Sequence, residues 1–376
     1  MSGSEELLRL LRETKVHELS KKKTKVIALD EGCTVLLALK TLALHRVLAA
    51  PVVTQAGSKD KREITYFVDI KDILMNFLKS VEEAFGTAIS QSMLQRMRFI
   101  EECGSPFAAT RLRDLKIRGG DGGFWHCKHA EKASILELVS CAFLSPSSCL
   151  IPTGKGISSE LDHIHRVALF GEDGFALTSI ITQSDIIKFL LDNIGECGPI
   201  ATATVEELGW VGRKVITVAP EVPALDALKI MADSKISAVG IERDGCLIGN
   251  FSMTDMRSLT AANFCSLALP VGEFLAKKHR TEYSGYAGAN PDGAPKEPPE
   301  ETPGKDPRRN SIPGADVGQK LILCEPTWTF KQVLEVLVKN RIHRVYVVQS
   351  VHTGGPPVGV VTMSDVLKAV AKRCKY

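Results

Sequence analysis

Four aspartates recur at one place in a repeated pattern, and that repeat limits the fold more than any other feature of the chain. Asp72, Asp185, Asp255 and Asp365 each follow a β-rich run and open a predicted helix. Asp72 to Asp255 is 183 residues and Asp185 to Asp365 is 180. Such a second-order period is what a duplicated pair of repeats leaves behind. Near the C-terminus the unit reads clearly. Thr329 caps a helix whose apolar residues Phe330, Val333, Leu334 and Leu337 return every three or four positions. The β-rich run Ile342–Val348, a Gly/Pro turn and a second run from Val358 to Thr362 follow, then a helix containing Ser364 and Asp365. Preceded by a short strand, this is a β-α-β-β-α unit.

The same grammar fits three earlier stretches. Val26–Leu29, helix 34–46, Ala49–Val53 and Tyr66–Asp72 form the first. His165–Phe170, a turn at Glu172-Asp-Gly, and Leu177–Asp185 form the second. Val215–Val218, helix 223–234, Ile236–Ile241 and Gly249–Asp255, with a helix after it, form the third. The expected class is α/β, with repeats over 13–79, 112–192, 205–280 and 317–374 arranged as two tandem pairs. Residues 281–316 hold 12 Gly or Pro in 36 positions, too few core-forming side chains for anything but a flexible insertion. A second insertion is expected at Ser145–Ser159, and surface loops tolerate such length.

Composition narrows the function classes. The 376 residues are 44% apolar with a net charge of +3, and Lys and Arg are interspersed, which argues against a nucleic-acid surface. No uninterrupted apolar run reaches the length of a membrane span, and the acidic N-terminus lacks the order of a secretory signal. Ten cysteines sit singly with no C-x-x-C pair, as buried thiols in a reducing compartment do. His126-Cys-Lys-His129 lacks a fourth ligand, so no metal site is expected. Gly154-Lys-Gly and Gly119–Gly123 lack the helix context of a phosphate loop. No catalytic set emerges, and an enzyme is not expected.

Two chemistries are open at the repeated positions. Thr182, Ser252 and Thr362 stand three residues before Asp185, Asp255 and Asp365, and Asp69 stands three before Asp72. That spacing is a helix-capping box. It equally leaves a carboxylate able to accept hydrogen bonds from the two hydroxyls of a ribose. His165-Arg166 and His343-Arg344 begin equivalent strands, either as solvated strand edges or as phosphate donors, since a guanidinium fork donates twice. Modules one and three carry Ala50-Pro51 and Ser237-Ala238 instead.

The strand-Asp-helix ending resembles the CBS domain. The ordered series Val47-Leu-Ala-Ala-Pro-Val52, His165-Arg-Val, Lys235-Ile-Ser-Ala-Val239 and Arg341-Ile-His-Arg-Val-Tyr-Val resembles the gamma regulatory subunits of AMP-activated/SNF1-related protein kinases. Gamma-like proteins of the plant type are the nearest in pattern. The resemblance covers residues 13–280 and 317–374. It implies a non-catalytic subunit of two packed discs that binds AMP, ADP or ATP and uses no cofactor. It further implies ribose contacts at Asp72, Asp185, Asp255 and Asp365, with Thr182, Ser252 and Thr362 as helix caps near the ligand. His165, Arg166, Ser237, His343 and Arg344 take the phosphates. A catalytic alpha subunit and a scaffold beta subunit are the implied partners, and the cytoplasm and nucleus the implied compartments. Leu48 departs from the family, which has Arg there, and that keeps two alternatives in play. One is a four-CBS scaffold that has lost nucleotide sensing. The other is an accessory domain for a different adenosyl ligand.

Overall fold

The computed structural model describes residues 3–20, 26–56, 61–86, 92–117, 126–127, 131–144, 164–170, 177–279 and 321–374. The 281–316 and Ser145–Ser159 insertions lie outside the described residues, as does the Glu172 turn.

Two helices lead, α1 (Gly3–Glu13) and α2 (Val16–Ser20). Module 1 comprises β1 (Leu29–Asp30), α3 (Val35–Leu44), β2 (Ala49–Ala56), β3 (Lys61–Asp69) and α4 (Ile70–Phe85), and α5 (Met93–Ala109) follows it. Module 2 has β4 (His126–Cys127), α6 (Ile135–Glu137) continued by a π-helical stretch Leu138–Phe143, β5 (Arg166–Phe170), β6 (Leu177–Thr182) and α7 (Gln183–Asp192). Module 3 has β7 (Thr217–Val218), α8 (Ala224–Asp233), β8 (Ala238–Arg243) and β9 (Cys246–Ser252). Two 3₁₀ segments, Asp255–Ser258 and Ala261–Ala268, come next, then α9 (Val271–His279). Module 4 has β10 (Leu323–Cys324), α10 (Phe330–Asn340), β11 (Arg344–Val347), β12 (Gly359–Thr362) and α11 (Met363–Arg373).

Each module forms a three-stranded sheet. The first two strands are parallel because a helix crosses between them, and the last two are antiparallel because a turn joins them. The strand pairing fixes which residues are equivalent. Ala49 faces Asp69, Arg166 faces Thr182, Ala238 faces Ser252, and Arg344 faces Thr362. The module 1 counterpart of the His-Arg pairs is therefore Leu48-Ala49, one turn of the pleat before the Ala50-Pro51 expected from sequence. That two-residue shift keeps the face of the strand but moves the pair one pleat toward the start of β2, level with His165-Arg166 and His343-Arg344. The first strands also begin late: Val26–Ala28 and Val215–Ile216 precede β1 and β7 without joining them.

Module 3 departs from the expected pattern after β9. No α-helix opens at Asp255; Asp255–Ser258 is a 3₁₀ turn with Thr254 at its N-cap, so Ser252 caps no α-helix. Elsewhere the capping boxes form at Asp69/Asp72, Thr182/Asp185 and Thr362/Asp365. Thr329 accepts from the Gln332 N–H, and Phe330, Val333, Leu334 and Leu337 are fully buried, as their spacing requires.

Helices join what the sequence keeps apart. Modules 1 and 3 share one core, in which Phe77 stacks on Phe264 at 4.5 Å and meets Phe107 at 5.2 Å. Modules 2 and 4 share the other, around Phe143, Trp210 and Phe330. Leu7, Leu11 and Val16 belong to that second core, and the Val16 N–H donates to the Ala133 carbonyl, so the front of the 13–79 span packs on module 2. Sheets join the neighbours in sequence. Leu247, Leu323, Tyr346 and Val348 form a small cluster between modules 3 and 4, where Tyr346 Oη donates to Asn250 Oδ1 at 2.9 Å. At about 1.5–3 kcal/mol per buried large apolar side chain, both kinds of interface are strongly held.

Candidate functional site

All four modules line one central cavity of about 900 Å³. The repeats place it. In modules 1, 2 and 4 the strand following the turn ends at the cavity and the next helix starts there, so the capped N-termini of α4, α7 and α11 turn their positive dipole ends toward it. First-turn residues of modules 2 and 4 touch across it, with Gln183 Nε2 donating to Ser364 Oγ at 3.2 Å. Val47, Leu48, Ile164, Ile236 and Met363 give it apolar wall.

The charge on the lining is one-sided. Arg46, Lys71, Lys116, Arg166, Lys214, Lys235, Arg257, Arg344 and Lys368 border the cavity against Asp69, Asp72 and Asp365. Arg46 and Lys235 hold the left-handed backbone conformation, φ 55° and 54°, at the turn between helix and strand; Arg341 repeats it in module 4 at φ 52°. Glycine or asparagine is the usual choice for that turn. Long cations accept the strain here, and two of the three reach the cavity.

Among the predicted phosphate residues, His165, Arg166, Ser237, His343 and Arg344 all line the cavity. Each arginine crosses to the neighbouring module. Arg166 Nη1 donates to Asp69 Oδ2 at 2.9 Å, and Arg344 Nη2 donates to Ser237 Oγ at 2.7 Å. The two halves are thus chemically unequal, an ion pair on one side and a neutral contact on the other. His343 opens toward the cavity, yet the surrounding protein pushes its pKa down to about 4, with Arg344, His165, Arg257 and Arg166 adding repulsion. It is neutral at pH 7. Burial also lowers the Arg344 pKa.

The four aspartates share one local design. In every module Oδ2 accepts the backbone N–H three residues before it: Asp69 to Asp72, Thr182 to Asp185, Ser252 to Asp255, Thr362 to Asp365. The backbone contact uses Oδ2 in every module, so it does not by itself decide between the capping and ligand readings. Asp72 and Asp365 border the cavity; Asp185 and Asp255 do not. Thr182 and Thr362 also border it, and their hydroxyls donate to Asp185 and Asp365. Burial, followed by the charge of Asp69, raises the Asp72 pKa to about 7 against the pull of the Asp69 N–H, Arg166 and Lys71. Asp365 Oδ1 accepts from Arg213 Nη1. Asp255 is buried, its Oδ1 receiving Lys278 Nζ at 2.8 Å with His279 Nε2 at 3.6 Å.

Sequence reasoning missed Arg257, Arg213 and Lys278. Arg257 had a signal: an Asp-x-Arg where the other modules read Asp-x-Leu or Asp-x-Ile. Lys278 lies in the basic Lys277-Lys-His279 end of α9, which nothing in the repeat anticipates. No group of three or more metal-ligating side chains occurs among the described residues, and the His126–His129 side chains lie outside them. No described helix is long and apolar enough to cross a membrane.

Residues 205–261 and 315–372, the third and fourth modules, match the CBS domain. Those two modules are CBS domains by that match. The first two modules repeat the same strand order and sheet pairing as the two matched ones. Among curated proteins the chain resembles the SNF1-related protein kinase regulatory subunit gamma-like PV42b of Arabidopsis thaliana, 22% identical over 96% of this chain and 95% of that one. It also resembles Protein SDS23 of Meyerozyma guilliermondii, 23% identical over 63% of this chain and 44% of the yeast one. Among solved structures, MJ1225 of Methanocaldococcus jannaschii covers 94% of this chain and 99% of itself with a TM-score of 0.58 at 17% identity. At that identity the likeness shows a shared fold.

Proposed function

We propose that this protein is a non-catalytic regulatory subunit that binds adenine nucleotides in its central cavity. One observation carries the reading: a single cavity collects Asp72 and Asp365, suited to ribose hydroxyls, beside His165, Arg166, His343 and Arg344, suited to phosphate. Apolar wall beside them suits a base. The cavity volume is within the range of small-molecule sites. AMP, ADP and ATP all fit that chemistry, and the excess of Lys and Arg favours the more highly charged members. The kinase role rests on resemblance to a gamma-like subunit in Arabidopsis and to an archaeal protein proposed as a homologue of g-AMPK. On that reading the partners are a catalytic alpha subunit and a beta scaffold of an SNF1/AMPK-type kinase.

Calorimetric titration of the purified chain with AMP, ADP, ATP and adenosine tests the proposal. Saturable binding of a nucleotide that Arg344→Ala weakens, with adenosine less affected, is the expected result. Absence of binding by every nucleotide would favour a CBS scaffold working through protein contacts alone. The closure of Asp255 by Lys278 is the observation that speaks for that second reading.

A further inference from the structure

The residue two places after the repeated aspartate is a core residue in three modules. Leu74, Ile187 and Leu367 are each at most 1% exposed. In module 3 the same position is Arg257, and it lines the central cavity. The backbone explains the exchange. Asp255–Ser258 is wound as a 3₁₀ turn, with the Met256 N–H reaching the Met253 carbonyl and the Arg257 N–H reaching that of Thr254. Three residues per turn instead of 3.6 change which side chains face inward. Met256 and Leu259 take the apolar places, 0% and 1% exposed, and Arg257 is turned out of the core.

Once there, the guanidinium is under-used. Its Nε is buried and has no hydrogen-bond partner among the described residues. Burial lowers its pKa and Arg46 adds to that, while Asp255 opposes both. It also stands near enough to His343 to help keep that imidazole neutral. Arginine does not shed its charge in proteins, so a buried donor among other cations calls for an anion.

The two halves of the cavity decide where that anion sits. At Arg166 a phosphate would meet Asp69, which Arg166 already pairs with, and beside it Asp72. At Arg344 the partner is the neutral Ser237, and the nearby Asp255 is already held by Lys278. We propose that Arg257 is a phosphate-ligating residue that, with Arg344 and His343, draws the phosphates of a nucleoside di- or triphosphate to the module 3–4 side. The inference rests on the nucleotide reading above.

The test replaces Arg257 with the apolar residue found in modules 1 and 4. Wild type, Arg257→Leu and Arg257→Lys are titrated with ATP, adenosine and inorganic tripolyphosphate at one salt concentration. Hydrogen bonds to charged groups are worth about 1.5–3 kcal/mol, so ATP and tripolyphosphate should each bind Arg257→Leu about tenfold more weakly or worse. Adenosine should change less than about twofold, and Arg257→Lys should recover part of the loss. Unchanged ATP affinity in Arg257→Leu overturns the assignment, as does an equal loss for adenosine in both variants. If the wild type binds tripolyphosphate but neither ATP nor adenosine, the nucleotide reading fails, and the loss in Arg257→Leu still upholds an anion site. A wild type that binds none of the three overturns both.

Discussion

Lys278 Nζ lies 2.8 Å from Asp255 Oδ1, with the two side chains 18% and 4% exposed. Lys278 also donates to the Thr254 carbonyl at 3.4 Å. An ammonium from the end of α9 thus holds the very carboxylate that matches Asp72 and Asp365 on the cavity wall. Burial alone would raise the Asp255 pKa, but His279 and Lys278 together hold it below the usual carboxylate range.

Removing one member of such a pair leaves a buried charge uncompensated. Lys278→Met should therefore lose about 3–5 kcal/mol in denaturant unfolding at pH 7. Adding Asp255→Asn to it should recover part of that loss. Because the folded pKa of Asp255 is depressed, its stabilisation is present above the unfolded value and disappears as pH falls through the folded one. A loss below about 1 kcal/mol for Lys278→Met would mean that the pair behaves as an exposed one.

Asp72 and His343 should tilt stability in opposite directions over one pH range. Asp72 titrates near 7 when folded, against 3.8 for the ordinary group, so it retains a proton that the unfolded chain gives up. Its contribution falls as pH rises from about 4 to about 7. His343 titrates near 4 when folded, against 6.5, so the unfolded chain takes the proton first. Its contribution falls as pH drops from about 6.5 to about 4. In the wild type the slopes oppose each other. Thermal unfolding from pH 4.5 to 8 should show stability rising with pH more steeply in Asp72→Asn than in wild type. In His343→Gln it should rise less, or fall. Matching curves for the two variants would contradict the assignments.

The repeat was legible because apolar periodicity and strand register survive in every module. Phe330, Val333, Leu334 and Leu337 had to face one core, and their spacing said so. The site was legible only in part. Arg166 and Arg344 read as matching residues, yet their partners, Asp69 and Ser237, lie 97 and 107 residues away. No local pattern encodes that difference. Nor does the repeat foretell the 3₁₀ turn at Asp255, since the sequence Thr254-Asp-Met-Arg257 is compatible with a helix. The closing of that turn over Leu259, and the packing of Phe264 on Phe77, belong to contacts between modules.

Neutral His343 gives nucleotide binding a proton signature. A polyphosphate beside the imidazole favours its charged form and raises its pKa. ATP binding should take up protons below about pH 7 and strengthen as pH falls toward 5. Calorimetry in two buffers of different ionisation enthalpy measures the uptake directly. His343→Gln should remove it while leaving adenosine binding nearly unchanged. Equal proton uptake in wild type and His343→Gln would assign the signature to another group.

Leu48 sits on the cavity wall of module 1, half-buried and packed against the first core, where modules 2 and 4 present His165 and His343. Arg166, the cation nearest in sequence logic to this half, is engaged by Asp69. A leucine offers no donor, and a triphosphate left without one where water is limited is costly. Leu48→Arg places a guanidinium on that wall, a second attraction for phosphates otherwise drawn to modules 3 and 4, and should strengthen ATP binding about tenfold, the equivalent of about 1.4 kcal/mol. Adenosine should be unaffected, because the new group reaches for charge and not for ribose. Arg46, which borders the same cavity, would make the substitution redundant if it already served this half. Titrating both proteins with ATP at one fixed salt concentration separates the two cases. An unchanged or weaker ATP affinity in a folded Leu48→Arg variant would mean that the phosphates never approach module 1.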